Sequence, residues 1–450
     1  MKSLHWLLFV VVTVQLFVFS AQAGGPHSTF GVSARSKGMA NAKTGVSNGW
    51  EAAFENPAAL ARLEKGVFST GLSLSLPDLH LELDTPLAAN DPLAPAEVPA
   101  YAGNVWGFAF PFRGFLEKRL YFGFAPFFPT EVATHATSYD PARPFVYRYD
   151  TYTDHYDVAM GFGLRWFDWF ATGVGVRIGG GQSGGITTKV DPLRSRMLFQ
   201  SMEAIQYTIY APTAGVTLGP FGKKGVFTVQ SGFSFREQFD MAVDVPAFLS
   251  FDGLDFDLVV PISTRMNFTP RTFSGGLGVE VLDMLTLSLD VDYRMWSLAP
   301  PPFVHVSIQA SGSDLDAVGF GGLLDVPGPG QSRVRDVGFV DIFTTRMGAE
   351  LRLLDEKVAM RMGYGFRPSP VPDQTSGTNI ADAATHIVAA GLGIHFDLPF
   401  LDEDIRLDMS WQTHILQPRV AEKDIVDDPV GNWTLSGFVH EGSLQISYFF

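Results

Sequence analysis

Between Leu285 and Met295 the side chains alternate without a break. Every odd position is apolar or aromatic, and every even one is Thr, Ser, Asp or Arg. A strand points successive side chains to opposite faces, so a period of two gives one apolar and one polar face. The stretch Ile405–Trp411 repeats the pattern. So does the C-terminus, where Leu444, Ile446, Tyr448 and Phe450 alternate with Ser443, Gln445, Ser447 and Phe449. An amphipathic helix needs a period of 3.6, which these stretches do not fit. Segments of this kind recur along the chain. We read strands over 66–76, 102–112, 119–128, 154–166, 170–180, 205–219, 224–237, 268–281, 284–296, 341–354, 357–367, 385–397, 404–416 and 436–450. Most are long enough for a tilted strand to cross a bilayer, which takes about 9–11 residues.

The connections alternate in length. Those at 113–118, 167–169, 220–223, 282–283, 355–356 and 398–403 are short. Those at 77–101, 129–153, 181–204, 238–267, 297–340, 368–384 and 417–435 are long and rich in Pro, Asp, Gly or Ser. Short periplasmic turns alternating with long extracellular loops are the pattern of outer-membrane barrels. A soluble sandwich or propeller has no reason to alternate in this way. The expected fold is therefore all-β: a transmembrane antiparallel β-barrel of about fourteen strands.

Composition agrees with a barrel and excludes other classes. Hydrophobic residues make up 46% of the chain and charged residues 18%, with 39 Phe. Yet no apolar run long enough for a spanning helix, roughly 18 residues, follows the N-terminus. Cysteine is absent, so no disulfide framework or thiolate site can form. A net charge of −15 argues against nucleic acid, which needs a basic footprint. Residues 1–23 read as a signal peptide, with Lys2, an apolar stretch over Leu7–Phe19 and the cleavage word Ala21-Gln22-Ala23. Gly181-Gln182-Ser183-Gly184-Gly185 matches G-x-S-x-G, but it sits in a Gly run without the strand–turn–helix that a nucleophile elbow requires. No metal-binding or nucleotide-binding word is present. We expect no catalytic residue, no metal and no cofactor.

Residues 24–65 precede the first strand and could hang in the periplasm or fold into the lumen, and their Ala-rich stretches suit close packing inside a barrel whose lumen is wide enough to hold them. The words Ser33-Ala-Arg-Ser-Lys-Gly-Met-Ala-Asn-Ala42 and Ala52-Ala-Phe-Glu-Asn-Pro-Ala-Ala-Leu-Ala61 resemble the hatch of the FadL-type long-chain fatty acid transporters. Phe124-Ala-Pro-Phe-Phe-Pro-Thr-Glu131 is similar to that family's third strand, and Tyr364-Gly-Phe-Arg-Pro-Ser-Pro-Val-Pro-Asp373 to its late loop motif. In order, these words span nearly the whole mature chain. The resemblance implies a fourteen-stranded barrel with 24–65 as hatch and 66–450 as wall. It also implies passive uptake of hydrophobic molecules, fatty acids or aromatic hydrocarbons, into the outer membrane. Ligand would be caught by extracellular loops, passed to a pocket beside the hatch, and released sideways near a kinked third strand. Terminal Phe450 suits the outer-membrane assembly machinery, with lipid and lipopolysaccharide as surroundings and a monomer as the expected state.

Candidate residues follow from these readings. Asn56, Pro57 and Ala58 form the hatch turn, in which Asn bonds nearby backbone and Pro fixes φ. Phe30 and Phe54 are candidates to line a ligand pocket or to act as packing anchors. The apolar loop 238–267 offers Phe248, Phe251 and Phe256 as capture residues or as the core of a small extracellular subdomain. Prolines inside a barrel wall interrupt pairing, so Ala125, Pro126, Phe127 and Pro129 mark a lateral opening unless the strand simply ends there. By alternation Arg165, Arg177, Asp290, Asp292, Arg294, Arg346, Glu350, Arg352, Arg361, Arg406 and Asp408 face the lumen. Most should be paired with each other, because buried charges must be. Arg346 and Arg352 are the candidates to meet a ligand carboxylate. The alternatives are a water-filled diffusion porin, disfavoured by the N-terminal segment, and an outer-membrane lipid hydrolase. The leader predicts a mature chain starting at Gly24. Intact-mass measurement of the membrane-extracted protein checks this, and a mass that retains residues 1–23 would refute it.

Overall fold

The computed structural model describes residues 26–88, 91–129, 140–149, 156–191, 196–307, 309–314, 336–375, 377–397, 404–424 and 428–450. Fourteen strands form a closed wall. They are β1 Val67–Leu83, β2 Tyr101–Pro111, β3 Leu120–Pro129, β4 Asp157–Phe167, β5 Phe170–Asp191, β6 Arg196–Lys223 and β7 Phe227–Arg236. They continue with β8 Arg271–Val281, β9 Leu285–Met295, β10 Ile342–Leu353, β11 Val358–Arg367, β12 Thr385–Asp397, β13 Asp404–Ala421 and β14 Trp433–Phe449. Each pairs antiparallel with the next, and β14 returns to β1 from Val67↔Phe449 to Leu83↔Trp433. The ring therefore has no edge, the condition for a sheet to survive in hydrocarbon.

Alternation sorts the wall into two surfaces. Leu72 and Leu74 on β1, Phe343 and Met347 on β10, Met360 and Met362 on β11, and Leu444 and Ile446 on β14 point outward and are exposed. Their neighbours Ser69, Ser73, Thr344, Arg361, Ser443 and Gln445 point inward and are buried. An apolar exterior around a polar interior is the arrangement of a membrane barrel. Trp166, Phe167, Trp169 and Phe221 cluster, exposed, at the end where β4 turns into β5. Aromatic rings of this kind settle at a membrane–water boundary.

At the opposite end β5 and β6 run on past their neighbours. They stay paired to Asp191↔Arg196, whereas β4 leaves β5 at Val158↔Ile178 and β7 leaves β6 at Thr213↔Arg236. The short strands Phe239–Asp244, Ala247–Phe251, Asp257–Val260, Ile262–Thr269 and Gln309–Ser311 join this extension. The segment expected as a loop over 238–267 is thus largely sheet. The Gly181–Gly185 word lies inside β5 rather than opening a loop. Further in, Phe145–Val146 pairs in parallel with Ile380–Ala381.

The N-terminal segment lies inside the ring. It is built of short helical turns at Pro26–Ser28, Ala34–Lys37, Ala52–Glu55 and Pro57–Arg62, almost wholly buried. Such short turns have little stability of their own, so packing against the wall must hold them. Glycines on the inner face permit that packing. A Cβ at Gly173 of β5 would stand 2.2 Å from the Ala58 nitrogen, one at Gly232 of β7 2.1 Å from the Thr44 oxygen, and one at Gly363 of β11 2.3 Å from the Met39 carbonyl carbon. Backbone thus rests on backbone, which only glycine allows.

Ion pairs fix the segment in place. Lys37 Nζ donates to Glu441 Oε1 on β14 at 2.6 Å, with both groups fully buried. Arg35 grips Glu350 on β10 with two bonds of 2.7 and 2.8 Å. Glu350 also accepts from Arg361 at 2.6 Å, Arg361 donates to Asp408 at 2.7 Å, and Arg406 donates to Asp408 at 2.6 Å. The chain of charges ties the segment to β10, β11 and β13. Gly173→Val should push Ala58 off its seat at a cost of about 1–3 kcal/mol. Guanidinium unfolding in detergent measures this, and an unchanged midpoint would show that the seat is not tight.

Candidate functional site

A chamber lies inside the ring, toward the strand ends that lead into the long connections. His27, Thr29, Val32 and Phe54 of the inner segment form one side. Five arginines but only two carboxylates line it: Arg148, Arg236, Arg294, Arg346 and Arg367 against Glu55 and Asp292. Four arginines reach the chamber from the wall, where even or odd parity turns them inward. Arg236 is on β7, Arg294 on β9, Arg346 on β10 and Arg367 on β11. Arg148 instead comes from the segment that pairs with Ile380–Ala381.

The charges are partly balanced. Asp292 accepts from Arg346 at 2.7 Å and from Arg294 at 2.9 Å. Asp382 stands 3.4 Å from Arg367 and 3.8 Å from Arg148. Arg236 differs. Among the described residues it has no carboxylate within ion-pair reach. Its guanidinium lies 5.0 Å over the Phe54 ring and donates to the Phe54 carbonyl at a long 3.4 Å. The chamber is therefore an electropositive enclosure with one arginine free to take an oxyanion.

Between β2 and β3, neither of which lines the chamber, the wall is broken. β2 and β3 pair at Val105↔Phe127 and again at Phe108↔Phe124. Between these points Trp106 and Gly107 stand opposite Pro126 and Ala125 without ladder pairing. Pro126 has no N–H to give. The other edge of β3 stays paired with β4 from Leu120↔Leu164 through Phe127↔Asp157, so the strand continues past the interruption. Pro129, opposite Gly103, ends β3. The His27 ring sits 5.4 Å from Phe127 and 5.3 Å from Phe54, linking chamber and break.

The other residues singled out in the sequence are dispersed. Phe30 is buried next to the chamber rather than lining it. Its ring is 4.9 Å from His414, and its carbonyl accepts from Gln412 at 2.6 Å. Asn56 is buried, accepts from the Ala58 nitrogen at 3.2 Å and donates to the Thr44 and Val216 carbonyls, with Pro57 beginning the next turn. Phe248 is exposed, while Phe251 stacks on buried Phe256 at 5.0 Å, all in the region beyond the wall and away from the chamber. Arg352 also lies elsewhere, donating to Glu280 at 2.5 Å and Thr286 at 2.7 Å. Arg236 and Arg148 were not among the sequence candidates. Arg236 was within reach, because Thr228, Gly232, Ser234 and Arg236 share the inward parity of one strand. Arg148 had no periodic signal around it.

Neither a family model nor a curated protein matches the sequence. Solved structures do. A Pseudomonas aeruginosa FadL homologue superposes with a TM-score of 0.61 at 15% identity, covering 95% of this chain and 99% of its own. The P. putida toluene transporter TodX gives 0.54 at 14%, covering 92% and 97%. The Ralstonia pickettii toluene transporter TbuX gives 0.52 at 14%, covering 96% and 100%. At such identities the likeness is one of fold, and it extends over essentially the whole of each chain. Removing the counter-ion shared by Arg294 and Arg346 with Asp292→Ala should destabilise the barrel by about 3–5 kcal/mol, because two buried cations lose their partner. Denaturant unfolding in micelles reads this, and a loss under about 1 kcal/mol would mean that water reaches the arginines.

Proposed function

We propose that this protein is a FadL-type outer-membrane channel that admits amphiphiles with an apolar tail and an anionic head, of which long-chain fatty acids are the simplest. The observation that carries this reading is an arginine-rich chamber and a break in the wall linked through His27, whose ring meets Phe54 of the chamber and Phe127 of β3. A carboxylate entering the chamber finds Arg236 unpaired and an excess of positive charge around it. The tail lies against Phe54, Val32 and His27, which lead toward the interruption between β2 and β3. Release there puts the tail directly into hydrocarbon, which costs an apolar chain nothing. The inner segment acts as a hatch that blocks a straight aqueous path. The sheet built on β5 and β6, with Phe248 on its surface, is the place of first capture. No nucleotide, metal or catalytic residue takes part.

A second reading, neutral aromatic hydrocarbons as cargo, rests on the fold shared with the toluene transporters. Five arginines are poor company for a solute with no charge, because they stay solvated or paired at its expense. A water-filled porin fits less well, since the inner segment occupies the lumen.

Cells expressing the wild type, Arg236→Ala and a deletion of 24–65 distinguish these readings through uptake of labelled oleate, toluene and a small sugar. Oleate uptake should exceed that of the control strain and fall roughly tenfold or more in Arg236→Ala, the loss expected for one charge-assisted hydrogen bond. Faster toluene uptake that is indifferent to Arg236 would replace the cargo. Sugar uptake alone in the wild type would replace the channel with a porin.

A further inference from the structure

The interruption between β2 and β3 is covered from inside by the Trp50 ring, seated on Gly107, and flanked by the Phe127 ring, seated on Gly103 in the paired stretch beside it. A Cβ at Gly107 would fall 2.2 Å from Cε3 of Trp50, and a Cβ at Gly103 2.1 Å from Cζ of Phe127. Both rings are buried, Trp50 at 2% and Phe127 at 0% exposure. They belong to different elements. Trp50 is carried by the inner segment just before Ala52–Glu55, and Phe127 by β3 itself. On the outer side Trp106 continues the aromatic lining, 5.5 Å from Phe124 and stacked at 6.1 Å on Phe128.

We propose that Trp50 and Phe127 are the shutters of the lateral window, and that their ring bulk sets the widest cross-section that leaves the chamber. This rests on the channel reading above and adds the residues that decide what passes. Gly107 matters because it leaves the inner face of β2 without a side chain at the gap, where the next inward residue is Val105. Turning the Trp50 ring therefore opens space at the gap itself. Neither ring carries a ladder hydrogen bond through its side chain, so rotation costs no backbone pairing. An acyl chain sliding through replaces ring–ring contacts with ring–methylene contacts of similar strength. Water or an ion would have to shed its hydration against the same rings without compensation. The window thus passes hydrocarbon and stays closed to water without any displacement of the glycine-seated turns of the inner segment.

The test compares uptake of oleate, a slender chain, with that of pyrene-labelled decanoate, whose head of fused rings is broad. Wild type, Trp50→Ala, Phe127→Leu and Gly107→Leu are expressed at matched levels, and heat-modified gel migration verifies a folded barrel for each. Trp50→Ala and Phe127→Leu should raise the pyrene-to-oleate uptake ratio by up to about tenfold, the range that hydrophobic-pocket size supplies. Gly107→Leu should depress both. An unchanged ratio in both shutter variants, with wild-type oleate uptake intact, overturns the shutter and leaves the channel standing. So does full oleate uptake through Gly107→Leu. A wild type that imports neither probe overturns the channel reading and the shutter together.

Discussion

Everything in this molecule follows from the requirement that a backbone in hydrocarbon must satisfy its own hydrogen bonds. Closure of β14 on β1 meets that requirement for the wall as a whole. It also gives the lapse between β2 and β3 its weight. In a soluble sheet a two-residue gap would be filled by water. In a membrane wall it needs another way of being tolerated, and here proline removes one of the donors while aromatic rings cover both sides. The interruption lies where the inner segment, through Trp50, meets the wall.

The same constraint explains the interior. Because lipid claims the outward face for apolar side chains, alternation delivers every other position to the lumen as a polar or charged one. A lumen this size, filled with protein, must pair those charges. The chain from Arg35 through Glu350, Arg361 and Asp408 to Arg406 does so at one level of the barrel, and Asp292 with its two arginines does so at another. Against that background of pairing, Arg236 stands out. Its surroundings offer a ring face and a distant carbonyl where its neighbours have carboxylates.

How much of this the sequence discloses depends on where lipid enforces the pattern. Inside the membrane span, parity identified the strands, their number and the inward charges, because a slip of one residue would turn every side chain to the wrong face. Beyond the span nothing enforces alternation. Periodicity accordingly places the ends of β5 and β6 short and reads 238–267 as loop, where the structure has short strands. The break in β3 was visible as Pro126, since a missing donor is a property of one residue type. The chamber was less legible. Arg346 could be read by parity, but Arg148 reaches it from an irregular segment. Phe248, Phe251 and Phe256 were conspicuous in sequence yet meet one another instead of the chamber.

The glycine seats carry a consequence for how the molecule is made. Residues 39 to 58 touch β5, β7 and β11 backbone to backbone, with no room to slide past one another. Such a segment cannot be threaded into a finished cylinder. It has to be in position while the cylinder is still an open sheet, and the seam between the first and last strands has to be stitched around it. The earliest part of the chain to emerge is therefore the last to be enclosed, and contacts of the greatest sequence separation set the pace of assembly. A mutation that spoils a seat would then be felt during biogenesis, as a seam that fails to shut, before it could be felt in the finished protein.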